Sequence, residues 1–405
     1  MLIHAIRRTC VVFLIVVAIA VPRSALAQVV QPAGRFVSGP LVWTPTFQLR
    51  EAGVDSNVFN TPLNPQQDFT AGAISTVNSV LTLGILQAAT DGSLEYLYFD
   101  RFAQERGFNR RVSTHLEFPV NRFSPDVTIG WERVKERAGN EVDTRAPRTG
   151  LSYAAGIQTR VGSRLAVTAT VGKQKQTYDR GFVFHDVEIA QQLNRESTLA
   201  NVTGRLTVTP LTALSLNASV GRDDFPLKPA AANDNMRLDA GFEFAPDAII
   251  RGRAAVGYHS MSPRHSVSNA VAANFSGVTS TVDLSYTLLD VTRFTGRFTH
   301  DSSYSVDTSQ PYYVSTAGAL EILQTLFGPV DLTVRASRER LDYPATDLEA
   351  AHVDFADMFA GGPSIRVGPQ AVIALLYDNA ERRSPRGREF GYQRHRIYTT
   401  VTYEF

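Results

Sequence analysis

Cysteine is all but missing from this chain. The only one is Cys10, and it lies inside an amino-terminal apolar run. A chain exported past that run carries no thiol, no disulfide and no cysteine-ligated metal. Long hydrophobic runs are missing too. The stretch 10–21 spans about a dozen residues and is ended by Pro22 and Arg23, whereas a membrane-crossing helix needs about 20. No apolar helical stripe occurs further on, which excludes a helical membrane protein. An excess of one charge is also lacking, since 40 Lys and Arg stand against 39 Asp and Glu. That balance points to no nucleic-acid partner.

What is present starts with an export signal. His4, Arg7 and Arg8 form a basic start, the run 10–21 an apolar core, and Ala25-Leu26-Ala27 a small-residue cleavage site before Gln28. A lipoprotein signal would carry its cysteine at the cleavage site, and Cys10 comes too early for that. Residues 1–27 are therefore expected to be a signal peptide. Residues 28–40, with Pro32, Gly34, Gly39 and Pro40, are expected to be a periplasmic lead-in. The remaining 41–405 form the folded body.

The last strand is the second signal. Ile397, Thr399, Val401, Tyr403 and Phe405 occupy alternate positions, with Arg396, Tyr398, Thr400, Thr402 and Glu404 between them. This period of two makes a strand with one apolar face. Val401, Tyr403 and Phe405 resemble the signal by which outer-membrane proteins are recognised for insertion. A soluble sandwich can also end in an amphipathic strand, but an export signal together with a terminal aromatic is much less common there.

Between these ends the alternation recurs in segments of about ten to fourteen residues, the length of a tilted membrane-crossing strand. In 213–223, Leu214, Leu216, Ala218 and Val220 alternate with Ser215, Asn217, Ser219 and Gly221. The stretches 164–176, 236–244 and 330–337 repeat the pattern. Connections alternate in length as well. Tight turns such as Val161-Gly162-Ser163, Pro210-Leu211-Thr212 and Phe327-Gly328-Pro329 come between longer polar stretches at 137–147, 178–193, 225–234 and 382–391. Barrels of the outer membrane have short periplasmic turns and longer outer loops. The expected fold is all-β: a transmembrane antiparallel up-and-down β-barrel of about 18 strands. Sixteen is the main alternative, because 72–84 and 355–367 are less cleanly patterned. A large soluble sandwich or β-helix is the competing architecture.

In this phase the interior holds charges of both signs. The lumen-facing candidates are Arg237, Arg251, Arg253, Arg293, Arg297, Arg335, Asp239 and Glu243, and Arg50, Arg111, Glu132, Asp283, Asp301, Glu339 and Arg396 fall on inward positions too. Opposite charges across a ladder make a solvated wall, while a surplus of arginine would favour anions. Trp43, Trp131, Tyr258, Tyr286, Tyr377 and Tyr403 suit interfacial girdles. A barrel of this size encloses an aqueous channel unless something plugs it, and the stretches 178–193 and 261–276 are the candidates for a constriction. The histidines show no pairing with a serine motif, and Asp55-Ser56-Asn57 lacks the glycine and glutamate of a calcium loop. No catalytic, cofactor or metal site is expected, and no enzyme.

One segment carries a family resemblance. The run 45–59, Pro-Thr-Phe-Gln-Leu-Arg-Glu-Ala-Gly-Val-Asp-Ser-Asn-Val-Phe, resembles the opening strand and first loop of the type-two β-barrel porins. In that family an Asp-Ser-Asn-Val loop follows a short first strand, and Val54 stands where an aromatic is usual. Many members lie beside exopolysaccharide gene clusters. The resemblance implies an outer-membrane barrel of a Gram-negative-type bacterium, with outer-membrane lipid, the insertion machinery and polysaccharide-export proteins as partners. Two functions follow as expectations. One is a porin-like channel for hydrophilic solutes or surface polysaccharide. The other is a non-conducting structural or assembly component of an exopolysaccharide export apparatus.

Overall fold

A computed structural model describes residues 36–264 and 273–405; the expected signal peptide at 1–27 lies outside them. A short strand β1 (Phe36–Ser38) folds back on β2 (Leu41–Asp55), so part of the expected lead-in is a hairpin. Then follow β3 (Asp68–Leu83), β4 (Leu86–Phe99), β5 (Gly107–Glu117), β6 (Phe123–Arg137), β7 (Arg145–Val161) and β8 (Leu165–Tyr178). A two-strand hairpin, β9 (Val183–Phe184) and β10 (Val187–Glu188), and the short helix α1 (Ile189–Leu193) fill the next connection. The wall resumes with β11 (Arg195–Thr209), β12 (Thr212–Asp224), β13 (Asn233–Phe244), β14 (Ile250–Pro263), β15 (Phe275–Leu288) and β16 (Thr292–Tyr304). It ends with β17 (Tyr312–Phe327), β18 (Val330–Tyr343), β19 (His352–Val367), β20 (Ala371–Arg383) and β21 (Tyr392–Glu404).

Every wall strand pairs antiparallel with its neighbours, and β21 returns to β2 from Thr46↔Glu404 to Asp55↔Arg396. The result is an 18-stranded closed barrel. Closure leaves no unpaired strand edge, which suits a chain without disulfides. Both doubtful stretches are full strands, β3 and β19, so sixteen strands is excluded. The blurred pattern of β19 has a local cause. Gly361-Gly362-Pro363 interrupts the alternation, and Gly362 takes a φ of 158°.

Side-chain alternation produces two surfaces. Val202, Ala218, Leu238, Tyr258 and Val278 are successive partners across five strands and form one outward row. They are exposed, as are Val171, Leu216, Val256 and Ile397. A continuous apolar surface of this kind suits hydrocarbon rather than water. No helix among the described residues is long and apolar enough to cross a membrane, so crossing falls to the strands.

Eight short connections, at 84–85, 118–122, 162–164, 210–211, 245–249, 289–291, 328–329 and 368–370, lie at one end of the barrel together with both ends of the wall. Nine longer ones lie at the other end, at 56–67, 100–106, 138–144, 179–194, 225–232, 264–274, 305–311, 344–351 and 384–391. The main water-excluding core sits among those longer loops. Val142, Ala146, Tyr178, Ile189, Ala190 and Val306 form one buried cluster there.

Candidate functional site

The site is the lumen, and its shape is set by the seven-residue connection between β6 and β7. This loop, 138–144, turns inward at Gly139, whose φ of 81° suits glycine. It then reaches the far wall. Asn140 donates to Glu339 on β18, ten strands along. The Glu141 carboxylate accepts hydrogen bonds from the Ser305 hydroxyl and from the Val306 N–H, the latter at 3.0 Å. Asp143 accepts from Asn60 at 2.9 Å and lies 3.6 Å from the Arg382 guanidinium. Arg382 also donates to the Glu141 carbonyl at 2.7 Å and to Asp354 at 2.8 Å. Burial raises the carboxyls of Glu141 and Asp143 above their ordinary range, while Arg382 pulls both the other way.

Two neighbouring loops brace this crossing. Ile189 and Ala190 of α1 pack on Val142, so 179–194 backs the constriction without forming it. At the other side the Asp55-Ser56-Asn57 corner anchors the base. The Asn57 N–H donates to Asp55 at 2.9 Å, and its side chain binds the Thr61 N–H, the Thr61 carbonyl and the Gln393 carbonyl. Arg137 then donates to the Val58 carbonyl at 2.8 Å and to the Asp143 carbonyl at 2.6 Å. The expected constriction at 178–193 is thus a brace, and the crossing segment is 138–144. At 261–276 the flanking Met261, Ala273 and Phe275 pack together, and 265–272 lie outside the described residues.

Cavities of about 740 Å³ and about 250 Å³ adjoin this partition, and Gly139 borders both. The larger has a mixed wall, on which Asp91, Arg111, Glu132, Arg195 and Asp223 stand among uncharged polar residues. On β8 its alternate lining residues are Gly172, Gln174, Gln176 and Tyr178; β11 adds Ser197, Asn201 and Thr203; β12 adds Ser215, Asn217 and Ser219. The smaller is ionic, with Arg50, Glu51, Asp55, Arg394 and Arg396 on its wall. Arg396 is held by Asp378 at 3.0 Å and by Glu51 at 2.9 Å.

Arg237, Asp239, Glu243 and Arg253 line the larger cavity, and Arg253 and Arg297 the smaller. Arg237 pairs with Asp301, Glu243 with Arg205 at 2.8 Å, Arg297 with Asp283 at 3.6 Å, and Arg335 with Glu321 at 2.8 Å. Arg251 and Arg293 stand exposed near the short-turn end. Among the described residues, no carboxylate pairs with Arg251, Arg253 or Arg293. Arg253 is the one of these that borders both cavities.

The structure also brings together residues that looked scattered in sequence. His259 Nδ1 lies 3.1 Å from Asp301 and 3.3 Å from the Ser302 hydroxyl. Both partners meet the same ring nitrogen. A nucleophile relay needs the acid on one nitrogen and the serine on the other, so this is a hydrogen-bonded cluster on the wall. No group of three or more His, Cys, Asp or Glu among the described residues is placed to hold a metal ion. The crossing of 138–144 escaped sequence reasoning because a seven-residue polar loop has no periodicity. Its one signal was Val142, an apolar residue alone between Glu141 and Asp143.

Comparison with known proteins agrees with this architecture. A family model described as "Putative beta-barrel porin 2" matches residues 30–405. Among solved structures, the outer membrane protein OpdK of Pseudomonas aeruginosa is similar at a TM-score of 0.51 and 12% identity, over 90% of this chain and 98% of that one. OccAB4 of Acinetobacter baumannii is similar at 0.51 and 9% identity, again over 90% and 98%. OpdK has also been solved with vanillate. At such identities these likenesses bear on the fold alone. No curated protein matches the sequence.

Proposed function

The chain belongs to the family of β-barrel porins whose model spans residues 30–405, and from that premise we propose that it is a selective channel for small hydrophilic solutes, biased toward anions. The protein is a porin-like barrel of the bacterial outer membrane. The observation that carries the finer reading is Arg253, a cation without a carboxylate partner beside both cavities. Paired charges nearby cancel at a distance, so an unpaired one dominates the local field. Loop 138–144 narrows the lumen enough for that field to act on a passing solute. Vanillate, bound by OpdK, is a small carboxylate and belongs to the class of solute that Arg253 would attract.

Ion selectivity of the folded barrel in a planar bilayer tests this. Under a salt gradient the reversal potential should show anion preference. Arg253→Gln should lower the anion-to-cation permeability ratio roughly five-fold, since a unit charge near a solute in water is worth about 1 kcal/mol. An unchanged ratio would remove Arg253 from the mechanism.

A second reading has support in the crossing itself. A lumen partitioned by a loop tied to its far wall suits a non-conducting component of a surface-polysaccharide apparatus. Polysaccharide-export proteins would then meet it on the periplasmic side near 28–40, where Phe36 stacks on Trp43 at 4.7 Å. A folded barrel that stays electrically silent would select this reading over the channel. In either case Val401, Tyr403 and Phe405 would serve the insertion machinery. Tyr403 and Phe405 meet edge to face at 4.9 Å on the closing strand.

A further inference from the structure

The outward face of β5 to β8 differs from the rest of the barrel surface near the long-loop end. Arg110 on β5 lies directly opposite Arg133 on β6, two like charges in register. Two strands further on, Lys173 and Lys175 project from the same face of β8. Arg133 is met by Asp179 at 2.8 Å, while the two lysines share the single carboxylate of Glu196 at 2.8 Å each. Arg110 has no carboxylate partner among the described residues, and its guanidinium stands 5.7 Å from the Phe108 ring. Four cations therefore face two carboxylates. All four lie at the surface, with Lys175 the most open of the three ion-paired ones at 54%.

On β18 to β20 of the same surface the balance is even. Arg338 pairs with Asp357 and Arg340 with Asp342, both at 2.6 Å; Arg383 reaches Asp357 and Glu381. Like charges directly across a ladder destabilise a sheet, and Asp179 compensates Arg133 alone, so Arg110 leaves room for a counter-ion from outside the chain. Its level shows where that ion would come from. Trp131, opposite Val112, points outward one step closer to the short-turn end than Arg133, and Tyr153, opposite Ile129, one step further; Lys175 and Lys173 share these two rows, and Ile157 continues the apolar band below. Aromatic residues mark the edge of the hydrocarbon, so the lysines stand at that edge and the arginines just beyond it, within reach of lipid headgroups on the outer side.

We propose that this face binds the phosphorylated headgroup of an outer-leaflet lipid, whose phosphates supply the missing negative charge. Arg110 and Lys175 are three strands apart, about 14 Å at ordinary strand spacing, a span that suits a headgroup with more than one phosphate. Arginine and lysine are the side chains that recognise phosphate, arginine as a fork and lysine as a point charge. The site lies outside the barrel and is independent of whether the lumen conducts.

The test is lipid retention by the folded full-length barrel in detergent, followed by native mass spectrometry. The probes are a bis-phosphorylated glycolipid, the same lipid after enzymatic removal of its phosphates, and inorganic phosphate. The bis-phosphorylated lipid should be retained at least tenfold better than its dephosphorylated form. Inorganic phosphate at the same concentration should not displace it. Arg110→Gln combined with Lys175→Gln should lose that advantage, whereas Arg338→Gln with Arg340→Gln should keep it. Glu196→Gln, which adds net positive charge, should strengthen retention and covers the case in which the double variant fails to fold. Equal retention of both lipids, displacement by inorganic phosphate, or indifference to Arg110 and Lys175 would each overturn the proposal.

Discussion

Arg382 is fully sealed from solvent while carrying a charge, as is its partner Asp354. A buried ion of this kind is tolerable only where partners offset its lost hydration, and here the Glu141 carbonyl and Asp354 take two of the guanidinium's hydrogen bonds, while Arg382 Nε and Asp354 Oδ1 have no hydrogen-bond partner. Asp354→Ala would leave the guanidinium uncompensated, at about 3–5 kcal/mol by analogy with other broken buried pairs. Because two of the partners of Arg382 belong to loop 138–144, the loss should show there first, as faster amide exchange and proteolysis at 138–144 in an intact barrel. Asn57 is a smaller case of the same logic. Its side chain closes three backbone bonds at the corner, and Asn57→Ala should destabilise that corner by about 1–3 kcal/mol, measured as a lower unfolding midpoint. The Asp-Ser-Asn motif was readable as a turn because Asp and Asn bind nearby backbone. Its bond to Gln393, 336 residues away, was not readable, because no local pattern encodes a partner across the closing seam.

Loop 138–144 crosses the lumen, and burial of Glu141 links its docking to protons. Glu141 faces Ser305, the Val306 N–H, Arg382 and Asp307, and burial holds its carboxyl above the ordinary 4.5. The docked loop therefore binds a proton more tightly than a released loop would. This contribution to docking is complete below 4.5 and is lost as pH rises through the raised value. If the channel conducts, acidification from neutral toward pH 4.5 should hold the loop in place and lower conductance. Glu141→Gln should flatten that dependence. A profile equally steep in both proteins would assign the proton to another group. Replacing 140–143 by glycine and serine should raise unitary conductance, since no side chain would then tie the loop to β18 and β20. The strands around the loop were legible because alternation repeats ten to fourteen times per strand pair. The loop was not, because the contacts that tie it to the far wall are with residues more than a hundred positions away, such as Ser305 and Glu339.

At the scale of the whole molecule, closure between β2 and β21 holds the wall as a ring. Gly53 lies at this seam, opposite Tyr398, and a Cβ there would penetrate the Ile397 carbonyl oxygen and lie 2.5 Å from the Tyr398 Cα. Gly53→Val should force the seam open, leaving two exposed edges and a barrel that no longer resists unfolding in detergent on an unheated gel. Gly92→Val, where a Cβ meets only the Val77 carbonyl oxygen at 3.9 Å, should migrate as the native protein does. A wild-type-like Gly53→Val barrel would show that the seam tolerates displacement. The sequence by itself determined the all-β class, the membrane-crossing strands and the side of the wall to which the short turns belong, because a period of two and a turn length are local properties, while the choice of eighteen strands over sixteen waited for the pairing of β3 and β19. It also placed the inward charges on alternate positions. Only the tertiary structure decided which charges cancel, which one stands unpaired beside both cavities, and which loop divides the lumen. Those depend on strands brought together from opposite sides of a closed ring, where sequence separation says nothing about distance.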